Sequence, residues 1–162
     1  MKKYLVLALC LLILTVGHAQ NYTEYFANKT LRVDYIFTGD ASCQNVCLDE
    51  LSVLPSWAGR HQHLAELPLQ GNGQIIMKDL ESGKTVYTTS FSSLFQEWLE
   101  TDEAKVISKG FENTFLLPYP LRPVEIEITL LSPRKEVRTC LKHTVRPDDV
   151  LIHQKGTAHI TP

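Results

Sequence analysis

The sequence predicts a mainly β protein: an immunoglobulin-like two-sheet antiparallel sandwich with one short inserted helix. Three observations carry that expectation. Apolar and polar residues alternate with a period of two over several short segments. Turns containing Gly, Pro or Ser separate those segments. A single segment places its large apolar residues at helical spacing instead. Six or seven short strands, each burying one face, fit two packed sheets better than a barrel.

The N-terminus carries a different signal. Lys2 and Lys3 precede an apolar run from Tyr4 to Val16, and Gly17-His18-Ala19 follows. This is the layout of a secretory signal peptide cleaved after Ala19. The run is about 13 residues, against the roughly 20 that a membrane-spanning helix needs, and no second run follows. Cys10 lies in the middle of the run behind Leu9, where lipid attachment would want a small residue at its end. The expected organisation is residues 1–19 as signal peptide, 20–152 as one β-sandwich domain, and 153–162 as a linker towards a C-terminal domain. The mature chain is expected to be periplasmic or extracellular, monomeric and without a membrane span.

Cleavage leaves about 143 of the 162 residues, enough to bury roughly two thirds of the unfolded surface around one core. Loss of two lysines from the 16 basic residues leaves 14 against 18 acidic ones, a net charge of about −4 with the signs interspersed. Nucleic acid is thereby excluded as a natural partner. Cys43, Cys47 and Cys140 remain, in a compartment where a disulfide can persist. An odd count with one distant member is no stapling framework, so the three read either as small apolar fillers or as one bonded pair with a spare.

Each element has its own justification. Leu31, Val33, Tyr35 and Phe37 face one way and Arg32, Asp34 and Thr38 the other, until Gly39-Asp40 ends the strand. Val46 to Leu54 is a second apolar stretch, closed by Pro55. Ser56 to Gly73, rich in Gly, Pro, His and Gln, reads as a long surface loop. Gln74–Met77 and Thr85–Phe91 flank Glu81-Ser82-Gly83-Lys84 as a hairpin. In a second hairpin Val124, Ile126, Ile128 and Leu130 alternate with Glu125, Glu127 and Thr129. Ser132-Pro133-Arg134-Lys135 then turns the chain into Glu136–Val145, with Val137 and Leu141 expected on one face. The outer Glu and Lys or Arg residues suit cross-strand pairing. The helix is expected at Ser93–Glu100, where Ser93 and Gln96 form a capping box and Leu94, Phe95, Trp98 and Leu99 form a stripe pinned by burial of Trp98.

Catalytic motifs fail on inspection. None of the six histidines is followed by Glu, so no HExxH zinc motif exists. Gly83-Lys84-Thr85 resembles the end of a phosphate-binding loop, but the earlier glycine it needs falls at Lys78, so a hairpin turn is the better reading. No serine sits in a GxSxG elbow, and the cysteines lack thiol-protease surroundings. His61, His63 and Glu66 offer two imidazoles and a carboxylate in a polar loop, without a defined coordination geometry. The rings Trp57, Phe91, Phe95, Trp98, Phe111, Phe115 and Tyr119 could make a ligand platform but read mainly as core. The expectation is no catalytic residue, no cofactor and no metal in this chain.

Several segments in order resemble a known family. Thr30-Leu31-Arg32-Val33-Asp34-Tyr35-Ile36-Phe37-Thr38-Gly39, Leu48-Asp49-Glu50-Leu51, Pro55-Ser56-Trp57-Ala58-Gly59-Arg60, Gly71-Asn72-Gly73-Gln74-Ile75, Ser90 to Trp98 and Phe111 to Pro118 are similar to the N-terminal domain of the IgA peptidase family. These are secreted bacterial zinc metallopeptidases, family sixty-four of the metallopeptidases, typical of gut Bacteroidota. The resemblance spans nearly the whole mature chain. It implies a non-catalytic domain in front of a catalytic one that holds the HExxH site, packing on or positioning that domain or its protein substrate. The alternative is a free-standing exported module that binds protein or glycan through the loop Ser56–Gly73 or the helix Ser93–Glu100. Purified residues 20–162 should fold alone as a monomer with a far-ultraviolet spectrum dominated by strand; a helix-dominated spectrum would contradict this assignment.

Overall fold

The alternation expected around Tyr35 is realised residue for residue. In strand β1 (Phe26–Gly39) Leu31, Val33, Tyr35 and Phe37 are fully buried, while Arg32, Asp34 and Thr38 lie on the other face. The computed structural model describes residues 21–66, 71–131 and 137–155. The expected signal peptide, the Ser132–Lys135 turn, part of the long loop and residues 156–162 lie outside them.

Before β1 a single helical turn, α1 (Tyr22–Tyr25), is capped by the Asn21 side chain, which accepts from the Thr23 N–H at 3.3 Å. The remaining elements are β2 (Gln44–Leu54), β3 (Gly73–Asp79), β4 (Thr85–Phe91), α2 (Leu94–Trp98), a 3₁₀ turn (Glu103–Lys105), β5 (Lys109–Pro120), β6 (Val124–Leu131), β7 (Val137–Val145) and β8 (Ile152–Gln154). They form two four-stranded sheets, in the orders β5-β1-β2-β8 and β4-β3-β6-β7. This is the two-sheet, mainly β sandwich that the sequence predicts, with α1 and the 3₁₀ turn added to the one short helix expected. One pair departs from antiparallel: β8 runs parallel to β2, Leu51 beside Ile152 and Val53 beside Gln154. The chain reaches it by crossing from β7 in the other sheet, and such a connection is free to deliver a parallel strand where a hairpin is not.

The first residues of the expected linker at 153–162 continue the sheet as β8, while 156–162 lie outside the described residues. His153 and Gln154 are sheet residues, the Lys155 N–H donates to the Val53 carbonyl, and the Lys155 ammonium lies 3.0 Å from Glu50. The expectation missed this because three residues are too short to show a period.

Three one-residue bulges adjust the faces. Asp34 pairs with Glu50 but Tyr35 with Leu48, so Asp49 is extra in β2. That residue switches the parity, which is how Val46 on one side of it and Leu51 and Val53 on the other all reach the core. In β4 the extra residue is Val86, and Val86 and Tyr87 are both buried. In β7 it is Cys140, opposite the step from Ile128 to Thr129. The register therefore shifts between Thr139 and Leu141; the face expected for Val137 lies outside the described side chains.

The core lies between the sheets, filled by the apolar faces of β1, β3 and β6 and by Phe95 and Leu64 from the connections. On the outer face of the second sheet Glu127 accepts from Lys78 at 2.8 Å and lies 3.1 Å from Lys142, the cross-strand charge pairing anticipated there. One polar pair bridges the sheets inside: the Tyr35 hydroxyl and His143 Nε2 share a 2.7 Å hydrogen bond, while His143 Nδ1 is buried without a partner. Burial pulls the imidazole down to about 4 and pushes the Tyr35 phenol up.

The native state therefore resists a proton that the unfolded chain accepts near pH 6.5, so this site's share of the stability is present above that pH and is lost as pH falls towards 4. The loss is at most about 3 kcal/mol. Melting temperatures taken from pH 7 to pH 4 should fall, and His143→Phe should flatten that slope. An equal slope in the variant would show that His143 is not its source.

Candidate functional site

The long loop is built into the sandwich through polar anchors. β1 carries two extra residues against β5, since Ala27 pairs with Tyr119 but Thr30 with Pro118. The first of them, Asn28, turns its side chain to accept from the Trp57 N–H at 3.3 Å. The Thr30 hydroxyl donates to the Ser56 carbonyl at 2.6 Å, and Trp57 Nε1 donates to the Arg60 carbonyl at 3.1 Å, which buries the indole against Tyr87. A Cβ at Gly59 would fall 2.1 Å from that ring, so only glycine fits there. The Arg60 guanidinium donates to the Leu64 and Thr88 carbonyls and lies 5.0 Å from the centre of the Tyr87 ring. Leu64 is buried beneath it, and its carbonyl also accepts from the Thr88 N–H at 2.8 Å. The expectation of a surface loop thus holds for the backbone path, while Trp57 and Leu64 belong to the core.

The same loop separates the candidate metal ligands. His63 Nδ1 meets Glu66 Oε1 at 2.6 Å in an exposed pair, whereas the His61 ring packs on Tyr22 with centroids 4.3 Å apart. Among the described residues no three His, Cys, Asp or Glu side chains converge as a metal set would. Gly83, at φ +68°, lies in the β3–β4 turn, where the Asp79 carboxylate accepts from the Ser82 N–H and hydroxyl at 2.9 and 2.6 Å. Lys84 lies over the Tyr25 ring, so the segment acts as a turn. Cys43 and Cys47 are exposed and unbridged, which corrects the expectation of apolar fillers for those two; Cys140 packs partly buried against the core.

Helix α2 begins where the Ser93 side chain accepts from the Gln96 N–H at 3.3 Å. The reciprocal half of the expected capping box is not made. The Ser93 N–H goes to Asn72 Oδ1, and the Gln96 amide nitrogen faces the carbonyls of Asn72 and Leu131 at 2.8 and 3.0 Å. Gln96 thereby ties the helix to β6 and to the entry of β3. The apolar stripe is also narrower than expected: Phe95 and Leu99 are buried, Trp98 is half-buried and Leu94 is 72 % exposed. Phe95, not Trp98, is the anchor. It meets the ring of Phe37 edge-on and touches Phe111, while Trp98 Nε1 donates to Glu103 Oε2 at 2.8 Å on the surface.

Beside the helix a turn is organised by Asp40. Oδ1 accepts from the Ser42 hydroxyl at 2.6 Å and from the N–H groups of Ser42 and Cys43, and Oδ2 from the Ser108 hydroxyl at 2.8 Å. These bonds, that of the Ser42 hydroxyl first, pull its carboxyl down to about 2. Glu103 is lowered by its bonds to Lys109 and Trp98. The sequence pointed to no role for Arg60 or His143, to Asp40 only as the end of a strand and to Gln96 only as a capping partner. Asp-x-Ser after a glycine is a readable turn signal; the others bond across long sequence separations and leave no local pattern.

Residues 21–142 match the family model described as Peptidase M64 N-terminus. No curated protein matches the chain. Phe95→Ala should destabilise the fold by about 3–5 kcal/mol in urea unfolding, and Trp98→Ala by about 1–2 kcal/mol. The reverse order would restore Trp98 as the pin.

Proposed function

The chain belongs to the peptidase M64 N-terminal family, and on that footing we propose that it is an exported, non-catalytic accessory domain. Its role in this reading is to pack on and position the family's zinc-peptidase catalytic domain or that domain's protein substrate. The observation that supports it is the extent of the match, which covers β1 to β6 and most of β7, the bulk of both sheets.

The side chains best suited to chemistry are engaged in the fold's own bonds: His63 with Glu66, Asp40 with its turn, Glu103 with Lys109, Arg60 with two carbonyls. A scaffold role accounts for that use of polar groups. Export follows from the signal-peptide reading. Cleavage after Ala19 would leave the Asn21 cap of α1 intact at the new N-terminus. A free-standing module for protein or glycan is the competing reading, and the exposure of Leu94 beside the half-buried Trp98 favours it.

Titrating the purified protein with the catalytic domain of an M64 peptidase distinguishes the two. The accessory reading expects a complex, a raised melting temperature, and altered cleavage of a protein substrate that the chain alone leaves intact. No complex at about 100 μM, a concentration below the effective molarity of two linked domains, would overturn it.

A further inference from the structure

Strand β2 has an edge whose parity can be followed residue by residue. At the turn into β2, Asp40 and Cys43 exchange both backbone bonds, the Asp40 N–H donating to the Cys43 carbonyl at 2.8 Å and the Cys43 N–H to the Asp40 carbonyl at 3.3 Å. Bonded and non-bonded pairs alternate from there along an antiparallel ladder. Thr38–Asn45 and Ile36–Cys47 are therefore bonded pairs, and the N–H and C=O groups of Val46 and Leu48 point away from β1. The same count carried past the Asp49 bulge turns the Val53 carbonyl outward, and there it accepts from the Lys155 N–H. β8 covers this edge only at Leu51–Val53, and among the described residues nothing pairs with the outward groups of Val46 and Leu48. The side chains are open as well: Asn45, Cys47 and Asp49 are exposed, and Leu48 is 39 % exposed although it shares the inner face with Val46.

Cys47 stands at the middle of the run Asn45–Asp49, on the outer face, as a free thiol. Cys43, four residues back along an extended backbone, lies roughly 13 Å away, beyond the about 7 Å limit for a disulfide. Cys140 belongs to the other sheet and packs against the core. An exposed thiol with no partner within reach among the described residues points to a partner in another chain. What this edge fits is itself. Turned by a two-fold axis about Cys47, Val46 of one copy lies opposite Leu48 of the other, and their outward N–H and C=O groups are in phase to exchange bonds. Cys47 then faces Cys47 as a non-hydrogen-bonded pair with Cα atoms about 4.5 Å apart, inside the range of about 4.4–6.8 Å that disulfides span. Asp49 falls opposite Asn45, so no like charges meet, and the run ends before β8 begins at Leu51.

We propose that the open edge of β2 is the docking surface for a second copy of this chain, paired antiparallel about Cys47 and locked by a Cys47–Cys47 disulfide. The strand contact alone, one doubly bonded Val46–Leu48 pair on each side of the axis, is far smaller than the roughly 1,000 Å² of a stable interface, so the reduced protein stays monomeric. That is the monomer expected from the sequence. Oxidation is supplied by a low-molecular-weight disulfide. The Cys47 thiolate of one copy attacks it, its S–S bond breaks and one small thiol leaves; the Cys47 thiolate of the second copy then attacks the mixed disulfide and releases the other. Two protein thiols are oxidised, one small disulfide is reduced to two thiols, and the protons of the protein thiols pass to the leaving groups. The inference goes beyond the accessory reading and does not depend on it. Export, as proposed above, would place the chain where such disulfides persist.

The test is incubation of the purified protein with oxidised glutathione, read by non-reducing electrophoresis, peptide mapping and hydrogen exchange. A dimer that dithiothreitol returns to monomer should form through Cys47; Cys47→Ser should abolish it and Cys43→Ser should leave it unchanged. The amides of Val46 and Leu48 should exchange more slowly in the dimer than in monomer alkylated at Cys47, because strand pairing occupies them and a crosslink alone does not. No dimer, with or without glutathione retained on Cys47, would overturn the proposal. So would dimers forming equally through Cys43, or a Cys47 dimer without protection at Val46 and Leu48. All of these outcomes leave the accessory role standing.

Discussion

Strand β1 is paired along both edges, to β2 over Thr30–Gly39 and to β5 over nearly all of its fourteen residues. A central strand of that length has little freedom of register: a slip of one residue would turn Leu31, Val33, Tyr35 and Phe37 out to solvent and bring Arg32 and Asp34 into the core. At roughly 1.5–3 kcal/mol for each large side chain exposed, such a slip costs about as much as the whole stability of an ordinary domain. The second sheet is tied to this strand through its inner face. Phe26 meets Tyr87, Phe37 meets Phe91 and Phe95, and Tyr35 meets His143, so β4, α2 and β7 each take their place from a β1 side chain.

This dependence explains what could be read from the residues and what could not. Burial on one face prints a period of two, so β1, the β3–β4 hairpin and β6 were legible, as was the sandwich they form. A bulge breaks that period by one residue for the sake of a partner strand distant in sequence. Asp49, Val86 and Cys140 therefore left no mark that a local pattern could show. The helix is an intermediate case. Its start was legible because Ser93 caps it locally, but its inner face depends on Asn72 and Leu131, and without them the pattern pointed to Trp98 as the anchor instead of Phe95. The family was legible for a different reason: several unlike segments recur in order, and the match over residues 21–142 agrees.

The polar anchors do work that apolar packing would not. Arg60 joins the carbonyls of Leu64 and Thr88, and Gln96 those of Asn72 and Leu131, so each side chain bridges two segments distant in sequence. A buried polar link of this kind adds little net stability but admits few alternative arrangements. The loop from Ser56 to Glu66 and the helix α2 are thereby set in one position each. Such fixed placement is what the accessory role proposed above would require.

In the accessory role proposed above, the sandwich could orient a neighbour only if the chain leaves it from a fixed point. Had the chain left by a flexible tail after β7, the spread of end-to-end distances would grow with the square root of tail length, and the sandwich would tether its neighbour without aiming it. β8 changes that relation. By adding a parallel strand to β2 and fixing Lys155 on Val53 and Glu50, it returns the chain to the first sheet, whose register β1 already holds. The point at which the chain leaves β8 is thus set by the same strand pairing that forms the core.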